Sequence, residues 1–152
     1  MRRILAVAAV VSLFACAKTE SGTPDSAAAA AAPAMLTADM VNGTWNGVTL
    51  AEGSDSVLTR WTITRDASMD TAHMVIEGSK DTVKFTSTFD ADSMVSTSLP
   101  YTSPVSPNIG PVMFRSVGRL VDGKLVGMSV ITLASKPDSV VRQNRFEATR
   151  QP

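Results

Sequence analysis

The chain has 152 residues, a length that suits one domain. Its 14 basic residues balance its 14 acidic ones without a basic cluster, which argues against a nucleic-acid binder, since that function rests on neutralising many phosphates. A single cysteine excludes an internal disulfide, and the apolar share comes mostly from Ala, Val and Met.

The first stretch, "MRRILAVAAVVSLFACAK", has three parts. Arg2 and Arg3 form a positive start, Ile4 to Leu13 is an apolar run, and Leu13-Phe14-Ala15-Cys16 follows. The apolar run is too short for a transmembrane helix, which needs roughly 20 residues, so it predicts a secretory signal over 1–15. Leu13-Phe14-Ala15-Cys16 resembles the lipobox of bacterial lipoproteins. That resemblance implies cleavage before Cys16 and a diacylglycerol on its thiol. Cys16 is then the lipidation site, and the lipid bilayer is a partner through the N-terminal acyl (palmitate-type) anchor. Two or more acyl chains hold a protein stably on a membrane. Ala17 follows Cys16 where an Asp would retain a lipoprotein in the inner membrane. By resemblance to that sorting rule, the outer membrane of a bacterial cell envelope is favoured. The competing reading is an ordinary signal peptide cut nearby, leaving a free thiol. Loss of Arg2 and Arg3 leaves 12 basic against 14 acidic residues, from the 14 of each in the whole chain.

Residues 16–35 comprise Cys16 and a linker of Ala, Ser, Pro, Thr and Gly. Such a stretch cannot bury enough apolar surface to offset its ordering entropy, and it predicts a flexible tether. Ala27–Ala32 favours helix, but Pro33 stops it, and isolated helices this short are marginal. A short helix packed on the domain is the alternative.

The domain proper is expected over 36–152. "LTADMVNG" (36–43) predicts one helical turn, with Thr37 as N-cap type and Gly43 just past the end. Alternating apolar residues and recurring turn signals then predict strands at about 44–51, 57–65, 70–77, 81–89, 93–99, 111–121, 124–134 and 139–149. The apolar faces are Val57, Trp61 and Ile63; Ala72, Met74 and Ile76; Val83, Phe85 and Phe89; and Val126, Met128 and Val130, although Leu125 and Ile131 blur this last pattern. Gly47 is expected to bulge the first strand, because Val48 and Leu50 fall out of phase with Trp45. Asp-Ser or Asp-Thr pairs at 55, 81, 92 and 138 mark turns before strands, because these side chains bond nearby backbone. Sequential antiparallel strands with hairpin-sized turns predict an all-β fold, an eight-stranded antiparallel up-and-down β-barrel, since closure removes sticky edges. A sandwich or a strongly curved open sheet is the alternative.

Gly43-Thr44-Trp45, a Gly-x-Trp after a helical turn at the head of strand one, resembles the lipocalin and avidin-like small barrels. The resemblance implies that Trp45 closes the barrel floor and that a basic residue near the end of the last strand packs across it. Arg150 is nearest that end and shares a face with Val140, Phe146 and Ala148. Trp45 and Arg150 are therefore the expected structural floor, joined by a cation–π contact. A barrel of this size is either filled by side chains or holds one small ligand.

Chemistry-bearing patterns are sparse. His73 and Glu77 share a face but lack a third metal ligand. Asp66/Asp70 and Asp90/Asp92 lie at turns, where solvated carboxylates are the simpler reading. No Gly-x-Ser-x-Gly occurs, and no phosphate-cradling Gly loop. No catalytic residue, metal or cofactor is expected, so the protein is read as a non-enzyme. Binding fares better. "PYTSPVSPNIGP" (100–111) is the longest connection, rigidified by proline, and Tyr101 could make it a lid. Arg142 and Asn144 share the face of Phe146, and Arg65 shares that of Trp61 and Ile63. If those faces point inward, Arg65, Tyr101, Arg142 and Asn144 form a ligand site in an apolar wall. The expectation is a lipocalin-like lipoprotein binding a small apolar or amphipathic ligand, unless Trp61, Phe85, Phe89, Phe114 and Met128 fill the interior. The alternative is a non-catalytic structural or protein-interaction module of the envelope, its protein partner unknown.

Overall fold

A computed structural model describes residues 35–66 and 71–152. Cys16, the expected signal and all but the last residue of the expected linker lie outside the described residues, as does Asp70. A short helix, α1 (Ala38–Val41), leads into eight strands: β1 (Gly43–Ala51), β2 (Val57–Arg65), β3 (Thr71–Ile76), β4 (Thr82–Asp90), β5 (Ser93–Ser98), β6 (Val112–Val121), β7 (Lys124–Leu133) and β8 (Lys136–Arg150). Each strand pairs antiparallel with the next, and β8 returns to β1, so the sheet is a closed up-and-down barrel. Closure leaves no unpaired edge, which is the physical reason for this solution.

Turn chemistry sets most of the boundaries. Asp122 and Gly123 both adopt positive φ (50° and 76°), the conformation that matches the twist of a two-residue hairpin. Asp55, Asp81 and Asp92 precede β2, β4 and β5 as expected. Asp138 does not mark a turn. The chain reverses at Ala134 and Ser135, and β8 already runs from Lys136 through Pro137 and Asp138. Pro137 has no N–H to donate, and the β7–β8 register is irregular beside it, between Ile131 and Leu133.

The inward faces follow the expected alternation in β3 (Ala72, Met74, Ile76) and β4 (Val83, Phe85, Phe89). Elsewhere they shift. The β1–β2 register slips between Thr49 and Leu50, not at Gly47. Gly47 stays on the face of Trp45 because it must be small: a Cβ there would lie 2.2 Å from Trp61 Cη2. The slip also leaves Val57 exposed. In β8 the pairing skips Val141, so Val140 is exposed and does not share the buried face of Phe146 and Ala148.

The largest difference is β7. The buried face carries Leu125, with Ile131 packed against the core, while Met128 is 41% exposed. Hydropathy misplaces this strand because its inner face holds Gly127 and Ser129. The glycine is required by Phe146: a Cβ on Gly127 would stand 2.7 Å from Phe146 Cζ and 2.1 Å from the Val117 carbonyl oxygen. Gly118, its cross-strand partner, is crowded by the same ring.

Candidate ligand cavity

One end of the barrel is closed. Trp45 is buried, and its Nε1 donates to the Val41 carbonyl at 3.0 Å. Arg150 faces Trp45 across the β1–β8 ladder, with its guanidinium carbon 5.3 Å from the indole centroid. Its Nη2 also donates to the Met40 carbonyl at 3.2 Å and to the Asn42 carbonyl. Carbonyls at the end of a helix lack intrahelical donors, and these two side chains supply them.

Arg65 sits at the same end, since β2 runs antiparallel to β1 and ends beside Gly43. Its Nη1 donates to Ser87 Oγ at 3.0 Å, and its guanidinium lies 5.3 Å from the Phe89 centroid. Burial lowers its pKa from the ordinary value.

Above the floor the barrel is hollow. Aromatic side chains pack in pairs along its wall, and a cavity of about 110 Å³ remains beside them. Phe85 tilts against Phe114 at 5.6 Å between centroids, and Trp61 meets Phe146 edge-on at 6.3 Å. Trp61 Nε1 donates to Thr49 Oγ1 at 3.0 Å, which fixes the indole against the wall. Met128 does not reach the interior, so the expected fill of five bulky side chains is incomplete.

The proline-rich loop covers the far end. Tyr101 exchanges both backbone hydrogen bonds with Val112 at 2.9 Å, and Pro107–Ile109 forms a single 3₁₀ turn. Ser103, Pro104, Val105, Ser106 and Ile109 line the outer part of the cavity. The Tyr101 ring packs on Phe114 at 6.3 Å, and burial pushes its hydroxyl pKa up to about 12.

Of the residues expected to bind ligand, the fold brings Tyr101, Arg142 and Asn144 to one cavity. Arg65 does not line it, because the strand end that carries it belongs to the floor. Asn144 is 5% exposed, and its Oδ1 has no hydrogen-bond partner. Thr49 and Thr59 line the same space, and so do Ser96, Ser116 and Ser129. The three serines carry no motif, and only the strand register reveals them as neighbours. His73 and Glu77 belong to no metal-sized cluster: among the described residues no three His, Cys, Asp or Glu side chains could hold a metal ion. A shallower hollow of about 580 Å³ lies over the outside of β1, where Arg60, Glu77, Lys124 and Glu147 mix both charges. It lacks the convergent apolar wall of a small-molecule site, so the smaller interior cavity is the better candidate. Set against family models, curated proteins and solved structures, the chain matches none of them.

Proposed function

We propose that this protein is a bacterial envelope lipoprotein, anchored through Cys16, whose lipocalin-like barrel binds a small apolar or amphipathic molecule without catalysis. The observation that carries the reading is the interior cavity, an apolar wall interrupted by a few buried polar groups. That combination suits a ligand held by burial and oriented by hydrogen bonds. On this reading the segment 16–35 would hold the barrel near the outer-membrane surface, where such molecules partition.

Native mass spectrometry of protein purified from envelope fractions tests the binding half. A bound small molecule that is lost when Ser129→Phe fills the cavity, in a variant that circular dichroism shows to be folded, supports it. A ligand-free barrel that also fails to take up the fluorescent apolar probe N-phenyl-1-naphthylamine would falsify it.

A second reading rests on the outer surface. Val117 and Met128 are cross-strand neighbours, 38% and 41% exposed, with Val95 paired beside Val117. This apolar row favours a module that docks a protein of the envelope. Crosslinking from Met128 in cells distinguishes the two readings.

A further inference from the structure

Five inward-facing polar residues on five consecutive strands are direct cross-strand partners. Ser87 of β4 pairs with Ser96 of β5, Ser96 with Ser116 of β6, Ser116 with Ser129 of β7, and Ser129 with Asn144 of β8. Direct cross-strand neighbours stand about 4.5–5.5 Å apart at Cβ, so these side chains form a continuous arc around half the barrel. Its floor end is satisfied internally: Ser87 and Ser96 share a hydrogen bond of 2.7 Å, and Arg65 donates to Ser87. Its other end is not, because the Asn144 Oδ1 is buried and unpartnered. The last four members of the arc all line the cavity. Trp61 and Met74, on β2 and β3, line it too, and the strand order sets those strands opposite β6 and β7. The arc is therefore a hydrogen-bonding strip within a largely apolar lining, which also holds Thr49 and Thr59 on the first two strands.

We propose that the cavity selects a small amphiphile whose head group donates hydrogen bonds to the arc Ser96–Ser116–Ser129–Asn144, while its apolar body lies against Trp61 and Met74. This deepens the small-ligand reading above and rests on it. The chemistry follows from Asn144. Its carbonyl oxygen accepts only, so it is met by an O–H or N–H and not by a carboxylate. Serine hydroxyls both donate and accept, so they complete the partners of an alcohol or a primary amide. A buried acceptor left unmet costs free energy in the empty barrel, and the right head group recovers that cost on binding. A cavity of about 110 Å³ suits a small head and a short tail.

The test uses octanamide and 2-nonanone, which share a shape and a carbonyl but differ in that only the amide donates. Binding to the purified full-length chain is measured by isothermal titration calorimetry, with sodium octanoate as a third arm. Octanamide is expected to bind about tenfold more tightly than 2-nonanone, the weight of one well-placed hydrogen bond to a buried acceptor. Asn144→Leu is expected to bring the two within about twofold of each other, with circular dichroism showing that the barrel still folds. Equal affinity of amide and ketone for the native protein overturns the arc and leaves the small-ligand reading standing. Tighter binding of octanoate than of octanamide also overturns it, because the polar side then reads as an anion site built on Arg142. If none of the three binds, both this inference and the small-ligand reading fail.

Discussion

Arg150 lies over Trp45 with 5.3 Å between guanidinium carbon and ring centroid, and the two residues are also direct partners in the β1–β8 ladder. The same guanidinium bonds the Met40 and Asn42 carbonyls, so one side chain ties the last strand, the first strand and α1 together.

Arg150→Ala is expected to destabilise the barrel by about 1–2 kcal/mol, from the lost cation–π contact and charged hydrogen bonds at a solvent-facing site. Arg150→Lys recovers only part of this, because an ammonium cannot lie flat on the indole while reaching both carbonyls. Urea titration measures the order: native, then Lys, then Ala. Equal stability of all three would show that the floor closes by strand pairing alone.

Gly127→Ala and Gly47→Ala rank differently. The new methyl at Gly127 meets backbone, the Val117 carbonyl oxygen, whereas at Gly47 it meets the tip of the Trp61 indole. A side chain can swing away and a strand cannot. Gly127→Ala is therefore expected to cost more than about 3 kcal/mol, beyond the usual overpacking range, or to prevent folding. Gly47→Ala should fold and push Trp61 into the cavity. Circular dichroism and tryptophan emission separate the outcomes; a well-folded, native-like Gly127→Ala contradicts the packing described.

Tyr101 is the only tyrosine in the chain, so the rise of tyrosinate absorbance with pH follows it alone. Its pKa is raised from 10.0 to about 12 by burial. The folded state holds the proton more tightly than the unfolded state, so the contribution is fully present below pH 10.0 and declines as pH rises toward about 12. Denaturation midpoints should fall across that window, and Tyr101→Phe should flatten the fall. An ionisation midpoint near pH 10.0 in the folded protein would mean that the loop does not cover the ring.

Asn144→Leu exchanges an unmet buried acceptor for an apolar side chain of similar size. It is expected to raise the stability of the ligand-free barrel by about 1 kcal/mol or more. Thermal melts with and without octanamide read both sides: a higher melting temperature alone, and a smaller rise on adding the amide. A lower melting temperature without ligand argues that Asn144 is already satisfied.

Cys16→Ser tests the anchor apart from the barrel. In a bacterial host the native chain is expected in the membrane fraction and the variant in the soluble fraction. Retention of the variant in the membrane rules out the thiol as the attachment point.

Strand positions were largely legible in the sequence because alternation and Asp-led turns act locally. The turn before β2 is one example, where Asp55 and Ser56 precede Val57. The pairing of Trp45 with Arg150 was legible too, since a closed meander forces first and last strands together. What stayed hidden depends on tertiary space. Gly127 and Ser129 give β7 an inner face without hydropathy, so Val126 and Met128 look like the core until Phe146 is seen to need the room. The slips near Thr49 and Val141 change which residue faces inward, and no local signal marks either. The serine arc is the extreme case. Ser96, Ser116 and Ser129 lie far apart in the chain, and only the combined registers of β5 to β8 make them neighbours.

The seam between β1 and β8 also governs the order of assembly. Arg150 bonds Met40 across 110 positions, so the segment made first waits for the segment made last. Closing so long a loop must precede any reward from the contacts it brings, which slows folding of such topologies. Until the final strand arrives, β1 and β7 each present a bare row of amides and carbonyls to whatever is nearby. A chain cut short before Lys136 would leave those two rows permanently open, and it would be expected to accumulate as aggregate and not as a smaller barrel.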